Sequence, residues 1–169
     1  QHQMVACRYA KFNKSKSSVT SGGLGTMGFG LPAAIGAWYG APERTVIAII
    51  GDGGFQMTLQ ELGTIMQFGA KVKILILNNQ FLGMVRQWQE LFNDRRYSFV
   101  NITSPDFVAL AKSYGIDGKR VSKRDVLKNA LEEMINHDSS YLLEVMVGKE
   151  NNVFPMVAQG TSVSEIRLK

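Results

Sequence analysis

Two apolar runs that stop abruptly on polar clusters constrain the fold of this chain more than any other feature. Val46-Ile47-Ala48-Ile49-Ile50 ends at Gly51-Asp52-Gly53-Gly54, and Ile74-Leu75-Ile76-Leu77 ends at Asn78-Asn79. Short runs rich in β-branched residues read as buried strands. Between them Met57, Leu59, Leu62, Ile65, Met66 and Phe68 recur at helical spacing, which predicts a helix over 57–68. In a strand-helix-strand unit the two strands run parallel, and their carboxyl ends lie side by side. Asp52 and Asn79, 27 positions apart in the chain, are therefore predicted neighbours.

That adjacency has a chemical reading. A carboxylate and an amide oxygen are hard donors that suit Mg²⁺ or Ca²⁺, and two protein groups are too few to hold such an ion without help. Phosphate oxygens would complete the shell. Gly51, Gly53 and Gly54 let the backbone approach a phosphate closely, and the helix that follows turns its free N–H groups toward the same place. The plainer reading makes Asp52 a helix cap and Asn78-Asn79 a turn.

The rest of the chain fits an α/β architecture: three layers, α/β/α, around a mostly parallel central sheet. Helices are expected over 4–12, over 29–39 with Pro32 in the first turn, from Ser104-Pro105-Asp106 to Tyr114, and from Ser122 to Asn136. Strands are expected over 116–121 and 141–147. Residues 150–169 read as a tail, and the whole of 1–169 as one domain. Gly23-Leu24-Gly25-Thr26-Met27-Gly28 also spells the dinucleotide fingerprint GxGxxG, with Asp52 near the position of a ribose-binding acid. Only the short Ser18-Val19-Thr20 precedes those glycines where a buried strand is required, and that rival leaves Asn78-Asn79 unexplained.

Composition narrows the classes further. With 45% hydrophobic and 20% charged residues the chain is an ordinary globular one, and no apolar run reaches the length of a membrane span. The net charge of +5 comes from nineteen basic residues scattered among fourteen acids. The dense group Lys11, Lys14 and Lys16 is short and holds a single aromatic, Phe12, too little for a stacking platform, so nucleic acid is not an expected partner. Cys7 is the only cysteine, and nothing at the start reads as a signal peptide; a reducing, cytoplasmic setting is expected.

GDG at 51–53 followed by NN at 78–79 resembles the thiamine-diphosphate signature. Gln1-His2-Gln3-Met4, Ser21 to Ala34 and Leu82 to Gln89 resemble, more narrowly, the large catalytic subunit of the acetolactate synthase family, as does Asn152-Val153-Phe154-Pro155-Met156 near the carboxyl end. The resemblance implies a pyrophosphate-type thiamine-diphosphate-binding domain, about the last third of a three-domain subunit. It implies that Asp52, Asn79 and the Phe81 carbonyl hold Mg²⁺, and that Gln1 and His2 lie at the diphosphate end of the cofactor. Gly51, Gly53 and Gly54 belong to the same anchor. Gly25 and Met27 would meet the pyrimidine ring, Leu82, Gly83 and Met84 would line the cofactor, and Trp88 would face a substrate channel. No catalytic residue is expected within the chain, because the family's essential Glu lies in an amino-terminal domain of a partner subunit.

The family's reaction is decarboxylation of pyruvate and condensation with a second 2-ketoacid, either pyruvate or 2-ketobutyrate, at the entry to branched-chain amino acids. The full-length enzymes also bind FAD, assemble as homodimers or homotetramers, and in some cases take a regulatory small subunit. Pyruvate oxidase and glyoxylate carboligase are the nearest alternatives. A non-catalytic interaction domain that keeps the fold without the chemistry is a third.

Overall fold

The computed structural model describes residues 1–168. In chain order the elements are α1 (His2–Tyr9), α2 (Gly30–Gly40), β1 (Val46–Gly51), α3 (Asp52–Gln56), a 3₁₀ turn (Leu59–Glu61), α4 (Leu62–Phe68), β2 (Val72–Asn78) and α5 (Gly83–Phe92). They continue with α6 (Phe107–Ser113), β3 (Asp117–Val121), α7 (Leu127–Asn136), β4 (Tyr141–Met146), β5 (Met156–Val157) and β6 (Ile166–Arg167).

Four strands form one parallel sheet in the order β1-β2-β4-β3. Helices α2, α4 and α6 cover one face, where Leu31, Ile35, Leu62, Ile65, Phe107 and Ala111 pack on Ala48, Ile50, Ile74, Ile76 and Leu142. Phe55 of α3 meets Phe107 edge to face, with ring centres 5.1 Å apart. On the other face α7 lays Ala130 and Met134 against Val121, Tyr141, Leu143 and Val145. The chain is thus an α/β/α sandwich, as its alternating pattern predicts. Among the described residues no helix is long and apolar enough to cross a membrane.

Three expectations need correction. The 57–68 helix is broken, because Thr58 leaves helical geometry (φ −138°, ψ 21°) and its hydroxyl donates to the Gly28 carbonyl at 2.9 Å. That bond ties the segment to the glycine-rich loop, so a short helix begins at once with Asp52 and a second follows the 3₁₀ turn. Strand β1 is not buried on both faces: it lies at the sheet edge, with Ile47 and Ile49 41% and 39% exposed. Helix α7 starts at Leu127 rather than beside Ser122, after a turn in which the Leu127 N–H donates to the Arg124 carbonyl.

Candidate functional site

Parallel pairing sets the level at which each strand leaves the sheet. Gly51 of β1 pairs with Leu77 of β2, so Asp52 and the pair Asn78-Asn79 emerge together at the carboxyl edge. There the Gln80 N–H donates both to Asp52 Oδ2 and to Asn78 Oδ1, each at 3.0 Å. Gln80 has φ +61°, a conformation that non-glycine residues adopt only when their surroundings hold them. The next residues are fixed by a short antiparallel contact, in which Leu82 N–H donates to Val100 O at 2.8 Å and Ile102 N–H to Gln80 O at 3.0 Å.

A cavity of about 390 Å³ opens at this edge. Its walls include Gln1, His2, Gly25 and Met27 from the amino-terminal third, and Gly51, Asp52, Gly53 and Gly54 from the turn after β1. They also include Asn79, Phe81, Leu82, Gly83 and Met84 from the segment after β2, with Val147, Gly148 and Asn151 beyond β4. Every residue expected around the cofactor or metal lines this one cavity. Trp88 does not: it sits farther along α5, 37% exposed, with its ring 4.7 Å from that of Phe92.

Two glycines allow the walls to meet. A Cβ at Gly53 would come within 2.8 Å of Leu82 Cδ2, and one at Gly83 would overlap the Gln1 carboxamide. Gln1 in turn bridges two parts of the rim: its Nε2 donates to the Asn151 carbonyl at 3.0 Å, and its Oε1 accepts from Asn79 Nδ2 at 3.2 Å. The second half of the rim is the segment after β4. Gln87 of α5 binds Val153 through both of its amide atoms, and the Arg8 guanidinium donates to the Phe154 and Pro155 carbonyls. Sequence reasoning found the segment by resemblance but had no signal for these two anchors.

The electrostatics suit a cation with an anionic ligand. Asp52 is only 1% exposed, and burial pushes its carboxyl above the ordinary value, opposed by the N–H groups around it. A neighbouring divalent ion would reverse that balance. Among the described residues there is no group of three or more His, Cys, Asp or Glu, so the available donors are one carboxylate, the Asn79 amide and the Phe81 carbonyl. No hydrogen bond reaches the Phe81 carbonyl among the described residues. This set of hard oxygens fits Mg²⁺ only if a ligand supplies further charge. His2 is held neutral, chiefly by burial, with its pKa lowered to about 4. Around the glycine fingerprint, no strand precedes Gly23 among the described residues, so the context a dinucleotide site requires is missing.

Comparison with known proteins agrees with this geometry. The family described as "Thiamine pyrophosphate enzyme, C-terminal TPP binding domain" matches residues 1–145. The chain is 48% identical over 167 residues to the acetolactate synthase isozyme 2 large subunit of Escherichia coli (strain K12), covering 98% of this chain and 30% of that protein. It is 50% identical over 165 residues to the mitochondrial acetolactate synthase catalytic subunit of Saccharomyces cerevisiae, covering 98% of this chain and 24% of that one. The chain therefore spans less than a third of the length of these relatives. Among solved structures, the thiamine diphosphate-dependent 4-hydroxybenzoylformate decarboxylase of Rhodococcus jostii RHA1 superposes with a TM-score of 0.67 at 34% identity, over 72% of this chain and 23% of that one.

Proposed function

Since the chain belongs to the thiamine pyrophosphate enzymes as their C-terminal TPP-binding domain, we propose that residues 1–169 are the cofactor-anchoring domain of an acetolactate synthase. The observation that carries this reading is the single cavity that gathers Gln1, His2, Gly25, Met27, Asp52, Asn79 and Met84 from distant parts of the chain. The 98% coverage at 48–50% identity supports acetolactate synthase over the decarboxylase that the solved structure represents.

In this reading the Asp52 carboxylate, the Asn79 amide oxygen and the Phe81 carbonyl hold Mg²⁺, which neutralises the diphosphate. Gln1 and His2 donate to the diphosphate, and a neutral His2 can do so through one ring N–H. The Gly25 carbonyl and Met27 orient the pyrimidine end, while Leu82, Gly83 and Met84 exclude water from the cavity. Trp88, on the same face of α5 as Met84, borders the path by which the 2-ketoacid arrives. When bound, thiamine diphosphate supplies the electron sink that lets pyruvate lose CO₂ and join a second 2-ketoacid. The acid that meets the pyrimidine belongs to an amino-terminal domain of a partner subunit, and FAD to another domain of the intact protein. Pyruvate and 2-ketobutyrate are the substrates, the intact subunit is a homodimer or homotetramer, and a regulatory small subunit is a further partner. A reducing compartment such as the cytoplasm suits the lone, exposed Cys7.

A colorimetric acetolactate assay on the intact protein, with pyruvate, thiamine diphosphate, Mg²⁺ and FAD, tests this. Acetolactate is the expected product. Release of free aldehyde without acetolactate would move the chain to the decarboxylases. The isolated 169 residues should be inactive, and sustained turnover by them would place the missing acid within this chain.

A further inference from the structure

Among the described residues, Glu144 is the one fully buried carboxylate that the proposed reaction does not use. It sits in the middle of β4, a strand flanked on both sides by others, and is 0% exposed. Its register partners are Ile76 and Arg120. A charge in such a place is costly unless every oxygen is satisfied. Both are: Asn78 Nδ2 donates to one carboxylate oxygen at 2.7 Å, and Arg120 Nε donates to the other at 2.6 Å.

The consequence lies at Asn78. An amide can turn by half a revolution and exchange its oxygen for its nitrogen, and the two orientations differ only in which neighbours they satisfy. Glu144, as an acceptor, admits only the NH₂ group. That leaves Asn78 Oδ1 facing the Gln80 N–H, which it accepts at 3.0 Å. The flipped amide would set the NH₂ group against the Gln80 N–H and an oxygen against the carboxylate. The same Gln80 N–H also donates to Asp52 Oδ2 at 3.0 Å, and Gln80 is the residue held at φ +61° immediately before Phe81. A continuous series therefore runs from Arg120 through Glu144, Asn78 and the Gln80 backbone to Asp52.

We propose that Glu144 is a positioning residue for the divalent-cation site: through Asn78 it holds the 78–81 loop in the conformation that presents Asn79 and the Phe81 carbonyl beside Asp52. The proposal rests on the reading of Asp52, Asn79 and Phe81 as metal ligands. Arg120 donates to Glu144 and also meets Asp106 at 3.4 Å, so the loop is tied to the far edge of the sheet. An ion pair with one partner buried and the other, Arg120, 44% exposed contributes little net stability, and its use here is to select one loop geometry. A glutamate inside the apolar run Tyr141-Leu142-Leu143-Glu144-Val145-Met146 is the sequence signal that points to it.

The test uses the intact protein with thiamine diphosphate present and Mn²⁺ as the probe, the free ion being counted by electron paramagnetic resonance. Glu144→Gln keeps the shape but sets an NH₂ group against one of its two donors. Outer groups that orient metal ligands typically change affinity by ~10- to 100-fold, and Mn²⁺ should bind more weakly by that factor. Asn78→Ser, which leaves the Arg120–Glu144 ion pair in place, should give a loss in the same range. The double variant should be no weaker than the worse single one, because both act along one series of contacts. If Glu144→Gln fails to fold by circular dichroism, Asn78→Ser alone decides. Asp52→Ala is the control, expected to lose Mn²⁺ altogether. Mn²⁺ affinity within twofold of the parent in both variants, with Asp52→Ala dead, overturns the positioning role and leaves the metal site standing. Full Mn²⁺ affinity in Asp52→Ala overturns both.

Discussion

Replacing Gln87 by Leu isolates the contact that fastens the segment after β4 to the wall of the cavity. Gln87 is buried, its Nε2 donates to the Val153 carbonyl at 3.1 Å, and its Oε1 accepts from the Val153 N–H at 2.8 Å. A side chain here supplies both bonds that a neighbouring strand would otherwise give to a backbone residue. Leucine has nearly the same volume, so the change leaves little cavity and removes these two bonds together with the one that Nε2 gives to the Met156 sulfur at 3.2 Å. Val153 is itself buried, and each of its unpaired groups costs ~1–3 kcal/mol. Together they should ease opening of the segment by about 2–4 kcal/mol, since water reaches part of it once it loosens. At ~1.4 kcal/mol per factor of ten, the Val153 amide should then exchange about 30- to 1000-fold faster. Native-state hydrogen exchange read by mass spectrometry, comparing a peptide across 148–157 with one across β4, measures this directly. Exchange of the 148–157 peptide within threefold of the parent, in a folded variant, would refute the clamp. Equal acceleration in β4 would mean that the whole domain had been destabilised instead.

Three further outcomes are expected. Burial lowers the His2 pKa from 6.5 to about 4, so the folded chain binds fewer protons there than the unfolded chain; its contribution is present above pH 6.5 and lost as pH falls toward 4. That contribution is at most ~3 kcal/mol, and His2→Asn should flatten the fall of melting temperature across this window; an unchanged slope would assign it to other groups. Gly83→Ala should push the Gln1 carboxamide aside and weaken thiamine-diphosphate binding in a calorimetric titration, with undiminished affinity showing that Gln1 plays no part. Asp106→Ala removes an acceptor that caps α6 through the Val108 and Ala109 N–H groups at 3.1 and 3.0 Å, and should lower stability in urea, read as an earlier midpoint at constant slope.

The organising unit was legible because its signals are local and redundant. Apolar runs over 46–50 and 74–77 announce strands, parallel pairing follows from the helical stretch between them, and the adjacency of Asp52 and Asn79 follows from pairing alone. What the sequence hid depends on contacts between distant segments. Thr58 breaks the helix because of a carbonyl 30 residues upstream, and helical spacing carries no trace of that bond. Gln87 looks like any polar helix residue until Val153 is folded onto it. Exposure of Ile47 and Ile49 follows from the place of β1 at the sheet edge, which the order of strands along the chain does not reveal. Glu144 stood in plain view, a charge within an apolar strand, but its partners Asn78 and Arg120 come from the two neighbouring strands.

In the proposed reading Asp52 and Asn79 anchor a diphosphate through a divalent ion at the ends of β1 and β2. Calorimetric titration of the intact protein with thiamine diphosphate, with Mg²⁺ and then after its removal by chelation, tests it most directly when Asp52→Ala is run beside the parent and a nicotinamide dinucleotide beside the thiamine cofactor. Saturable binding by the parent that requires Mg²⁺ is expected, with none by Asp52→Ala and none of the dinucleotide. Binding of thiamine diphosphate by Asp52→Ala with the affinity of the parent, or binding of the dinucleotide in its place, would contradict it.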